Sequence, residues 1–259
     1  MKTFYLIVVC FLSFSHMFGR IKNGYESGLT NSQASLLRLN AILAEDKSLS
    51  TTKRMVVKSR IETLITYIAC YQLTNELIRR FEQMSPGVFA ELDNITDRRG
   101  RPTDVYVKLV PPEKSRLPIP AATFVAPSMT DEDANHSEHG EYSVAVDVWI
   151  NDNALFLLSH ELGHVKYIIP HLAMYAKFYE MHYRHSNVSD GAVGHRAGDQ
   201  SGQCASMYEK KFMQERRIYF ENGGEKPVSW IMLYARSKRS IRGNTKPDAI
   251  AFAKSYPEN

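Results

Sequence analysis

An α+β fold is what this sequence predicts, and three observations predict it. Helical periodicity fills the first third of the chain. β-Branched alternation is confined to a middle stretch, and a helical pattern resumes directly after its last alternating run. The 259 residues are 44% apolar and 23% charged, enough to bury a sizeable core in one domain.

The first segment, "MKTFYLIVVCFLSFSHMFG", has a basic start and an apolar run from Phe4 to Phe14. That is the layout of a secretory signal over residues 1–19, with cleavage expected after Gly19. The run falls short of the roughly 20 apolar residues of a membrane span. The expectation is a secreted or periplasmic chain, 20–259, with no span once the signal is removed. An uncleaved N-terminal anchor is the alternative. Cys70 and Cys204 then remain, able to pair or to sit apart as small buried residues.

Residues 20–95 read as a helical N-terminal part. "SQASLLRLNAILAE" (32–45) is amphipathic, "DKSLSTTK" breaks it, and a longer helix follows over 52–84. Ile61, Leu64, Ile65, Ile68 and Leu73 form its apolar stripe. "SPG" at 85–87 interrupts it, and "DRRGRPTD" is a loop. Strands are expected at 103–110, 121–127 and, most clearly, 142–150. In the last of these Val144, Val146, Val148 and Ile150 share one face, and Ala145, Asp147 and Trp149 share the other. Asn151 and Asp152 offer helix caps before "NALFLLSHELGHVKYII", and Pro170 limits that helix. A polar loop lies at 130–141 and another at 186–198. Asp199 opens a further helix, and from Gly223 onward turns and a short helix near 249–254 are expected.

The net charge is +4, and the basic stretch 235–246 lacks interleaved aromatics. It reads as a solvated tail or loop, so no nucleic-acid partner is expected.

The chemistry lies in "HELGH", 160–164. On a helix, His160 and His164 share a face with Cβ atoms about 5–6 Å apart, so both imidazoles can reach one metal ion. Glu161 points about 100° around the axis, free to face a water on that ion. Gly163 costs about 1 kcal/mol relative to alanine in a helix interior, which asks for a packing reason.

His160-Glu161-Leu162-Gly163-His164 resembles the active-site helix of the zincin metallopeptidases. The likeness covers 103–220 and implies a zincin-like α+β domain. Its small mixed sheet would carry an edge strand (142–150) just before the active-site helix, and a later helix would bring a further ligand. It implies Zn2+ on His160 and His164, Glu161 as general base, and a peptide or protein substrate. The pattern of one subfamily, H-E-x-x-H-x-x-G-x-x-H, fails at Tyr167 and Pro170. His171 lies about 10 Å along the axis from His164 and could ligate only if Pro170 broke the helix sharply. Asp199, Gly202, Ala205 and Glu209 recur at helical spacing, with small residues that permit close approach. Glu209 would give a gluzincin-like site and Asp199 an aspzincin-like one. The alternatives are a plain N-cap for Asp199 and a solvated charge for Glu209. His195 is a further candidate, as ligand or as donor to an oxyanion. The rival from another class is an exported, non-catalytic binding or scaffold protein that retains a degenerate or structural metal site.

Overall fold

The computed structural model describes residues 20–115, 118–127, 142–176 and 199–245. The expected signal segment, the loop at 130–141, His182, His185 and His195, and the short helix expected near 249–254 lie outside these residues.

The order of elements is β1 (Ile21–Asn23), α1 (Leu29–Glu45), α2 (Thr51–Met84), α3 (Pro86–Asp93), β2 (Val105–Val110), β3 (Ala121–Pro127), β4 (Tyr142–Trp149), α4 (Ala154–Ile168), α5 (Gln200–Glu221) and α6 (Trp230–Asn244). The fold is α+β, with a four-stranded sheet in the order β1-β2-β4-β3. β1, β2 and β4 run parallel, and β3 lies antiparallel to β4. This corrects one expectation: the strand leading into the "HELGH" helix is internal. The outer position belongs to β3, because parallel pairing to β2 occupies the other side of β4.

Register puts Val105, Val107 and Leu109 of β2 on one face with Val144, Val146 and Val148 of β4, and with Ala121, Thr123 and Val125 of β3. This face is aliphatic apart from Thr123, Tyr142 at the start of β4 and Asn23 of β1. It packs on the second half of α2, on α4 and on parts of α5 and α6, forming the main core. A smaller cluster joins Leu36 of α1 and Ile241 of α6 to Ile61, Ile65, Ile68 and Ala69 of α2.

α2 is 34 residues long, about 51 Å at 1.5 Å per residue. Ser50 caps its start, and Pro86, at the first position of α3, begins a new helix after the break at Ser85. β1 is only three residues long, so β2 outruns it. Beyond the last pair, the Leu109 N–H donates to the Thr74 hydroxyl at 2.9 Å and the Tyr25 hydroxyl donates to the Leu109 carbonyl at 3.2 Å. Side chains thus complete the ladder where the neighbouring strand stops.

The basic stretch from Ala235 forms most of α6 rather than a tail, because Trp230 and Ile241 are buried and anchor the helix at both ends. Ser229 caps it. Cys70 is buried, Cys204 is half-buried, and both thiols are free. Among the described residues no helix is long and apolar enough to cross a membrane.

An ionic cluster ties α2 to the segment before α6. Glu76 accepts from Arg79 and Arg80, and both arginines reach Glu225. Burial alone would raise the Glu76 carboxyl, but hydrogen bonds from Arg79 and Arg80 hold it below its usual range. A depressed carboxyl stabilises the fold above its unfolded pKa, and the contribution disappears as pH falls through the folded value. Glu76→Gln should therefore lower the melting temperature at pH 7, by an amount corresponding to about 1 kcal/mol or less given the partial exposure. The gap to the wild type should close below about pH 4. Calorimetry across pH checks this; a gap constant with pH would contradict it.

Candidate metal centre

The turn from β4 into α4 is short. The Ile150 N–H still bonds to the Val110 carbonyl, and the Asn151 side chain then accepts from the Asn153 N–H at 2.8 Å. The helix starts at the next residue, so the sheet fixes its origin. Ala154, Leu158, Leu162, Val165 and Ile169 are at most 1% exposed and set its rotation. With that stripe in the core, His160 and His164 fall one turn apart on the face toward α5.

The two rings face each other through their Nε2 atoms, 3.1 Å apart, with centroids separated by 4.8 Å. Each Nδ1 is held from α5. His160 Nδ1 lies 2.8 Å from Glu209 Oε1, and His164 Nδ1 lies 2.8 Å from Ser201 Oγ. The Glu209 carboxylate can only accept, so His160 carries its proton on Nδ1 and presents a lone pair on Nε2; His164 does the same when the Ser201 hydroxyl accepts from its Nδ1. With both rings in that tautomer, a cation between the Nε2 atoms could accept both lone pairs. Two nitrogens about 2.05 Å from a tetrahedral zinc would be about 3.3 Å apart, close to the spacing found.

Glu161 completes the cluster. Its carboxylate oxygen and the two ring nitrogens lie within 4.8 Å of one another, a group that could hold a metal ion. The side chain is buried, and Glu161 Oε2 accepts from the Thr123 hydroxyl at 2.6 Å. Burial raises the Glu161 carboxyl above its ordinary range, opposed by the Thr123 hydrogen bond and the neighbouring His160.

The residues weighed as a third ligand take other places. Asp199 is the N-cap of α5, accepting from the Ser201 and Gly202 N–H groups at 3.0 and 3.2 Å. Glu209 meets the Nδ1 of His160, on the ring edge away from His164. His195 lies outside the described residues. His171 turns back on its own helix: its Nδ1 bonds to the Tyr167 carbonyl at 2.8 Å, and the two rings stack.

Sequence reasoning missed Thr123 and Ser201. Thr123 is a hydroxyl flanked by aliphatic Ala121 and Val125 on its strand face. Ser201 precedes Ala205 and Glu209 by one and two turns of α5. The buried face of that helix is Ser201, Ala205, Tyr208 and Phe212, while Gly202 is half-buried. No family model matches the chain, and neither the curated proteins nor the solved structures give a significant match to it.

Gly163 supplies the close approach. A Cβ there would meet the Cys204 carbonyl oxygen at 2.6 Å and the Ala205 nitrogen at 2.7 Å. Both are backbone atoms and cannot yield without moving α5. Alanine ordinarily stabilises a helix interior by about 1 kcal/mol over glycine. Here Gly163→Ala should instead cost about 1–3 kcal/mol by overpacking. Urea unfolding measures it, and a stabilised variant would refute the contact.

Proposed function

We propose that this chain is a zinc-dependent hydrolase of the zincin metallopeptidase type, acting on peptide bonds in an exported setting. One observation carries the reading: the Nε2 atoms of His160 and His164 converge at 3.1 Å while Glu209 and Ser201 engage both Nδ1 atoms. Histidine ligands usually have such partners, which fix the tautomer and raise ring basicity. A pair of solvated surface histidines has no need of them.

His160 and His164 would hold zinc, and Glu161 is the proton carrier. A zinc ion held there would lower the pKa of a coordinated water to about 7 and polarise a carbonyl. Glu161 takes the proton as the water oxygen bonds to the carbonyl carbon. It delivers that proton to the amine nitrogen as the C–N bond breaks. Burial favours the protonated carboxyl after the first transfer, and the Thr123 hydroxyl favours the carboxylate before it. The apolar segment 4–14 supports export.

Peptide as substrate rests on the zincin likeness together with the sheet edge. Among the described residues β3 pairs on one side only, with β4, and its Thr123 reaches Glu161. An extended chain added to that edge would run past the carboxylate.

Elemental analysis should find about one zinc per chain, lost in His160→Ala and in His164→Ala. Glu161→Gln should keep zinc and lose cleavage of casein and peptide libraries. A wild type without stoichiometric zinc would sink the proposal. Glu209→Gln and Ser201→Ala should each weaken zinc binding about 10–100-fold. Competition with a chromogenic chelator measures that loss; unchanged affinity in both variants would remove the support assigned to α5.

A further inference from the structure

We infer that Thr123 is a positioning residue for the proton-carrying carboxylate, an inference that rests on the hydrolase reading above. Ala121 and Val125 flank it on the same face of β3, and its partner across the sheet is Val146. Valine would extend this aliphatic surface without interruption. The chain places a hydroxyl there instead, and that hydroxyl is used: it donates to Glu161 Oε2 at 2.6 Å and lies 3.2 Å from the Glu161 carbonyl oxygen.

A carboxylate on a helix can rotate about three side-chain torsions, and each retained rotamer weakens its aim at the reacting water. Thr123 removes that freedom from outside the helix. With Oε2 fixed on the hydroxyl, Oε1 is the oxygen left to take and return the proton. The anchor comes from β3, which pairing with β4 holds over its whole length from Ala121 to Pro127. β-Branched Thr123 is itself stiff at its first torsion, so its hydroxyl direction is set by the strand. The carboxylate is thus referenced to the same sheet edge along which an extended substrate would lie, and not only to α4.

The test uses the full zinc-loaded chain with labelled casein. Thr123→Val should bind one zinc with wild-type affinity, keep KM within about twofold and lose about 10–100-fold in kcat. Thr123→Ser, which restores the hydroxyl, should stay within about threefold of wild type in kcat. In the zinc-free protein, urea unfolding of the Thr123→Val, Glu161→Gln and double variants should be non-additive. An additive cycle, or an active wild type whose Thr123→Val variant keeps full kcat, would overturn this inference alone. A wild type that binds no zinc, or binds it and cleaves neither casein nor a peptide library, would fail the hydrolase reading and this inference with it.

Discussion

The contact of Gly163 with the backbone at Ala205 is the constraint on which the rest of the centre depends. Helices with ordinary side chains at their crossing pack with axes about 8–10 Å apart. A glycine on one and an alanine on the other let α4 and α5 approach through their main chains. Only then do a serine and a glutamate, both short for such a task, span the gap to imidazole nitrogens. The register follows from the same contact. His160 meets Glu209 while His164 meets Ser201, so the helices run antiparallel, and rings one turn apart on α4 take partners two turns apart on α5, on either side of Ala205. The cost of glycine within α4 is offset by what that approach makes possible.

The second constraint is the burial of Glu161. A carboxyl on α4 at 6% exposure, packed against the sheet, would tend to stay neutral. Its surroundings oppose that: a hydroxyl arrives from β3 and an imidazole from the adjacent residue. Removing any one member leaves the others buried with incomplete partners, so the group behaves as a network rather than a set of independent pairs. Because its members come from β3, α4 and α5, its integrity reports on the packing of three elements.

What the sequence revealed and what it hid divide along the range of the interactions. α1, α2, the strands at 105–110, 121–127 and 142–149, and α4 were legible because each carries its own period of apolar residues. So were the facing of His160 and His164, a property of helical spacing alone, and the need for a packing partner at Gly163. β1 was not legible, since three residues have no period and the strand exists by pairing with β2. α6 was hidden by basic composition, although Trp230 and Ile241 frame it. The edge position of β3 depends on strand order, which no local pattern encodes. Asp199 and Glu209 were placed on the correct helix, but spacing cannot separate a ligand from a cap or from a partner to the far side of a ring.

Charge gives the last step. Glu161 and Glu209 bring two carboxylates to a pair of imidazoles, one within the cluster and one on the Nδ1 of His160. Among the described residues the nearby lysines pair elsewhere: Lys166 of α4 and Lys211 of α5 both meet Glu91 of α3. A cation held at the facing Nε2 atoms would lie close to both carboxylates. Water in its place could donate to both rings but would carry no charge. A proton shared between the rings would offset only one of the two negative charges. The spacing of the two rings and of the Glu161 carboxylate is one that could hold a metal ion. It is also asymmetric: His160 is backed by a carboxylate and His164 by a hydroxyl.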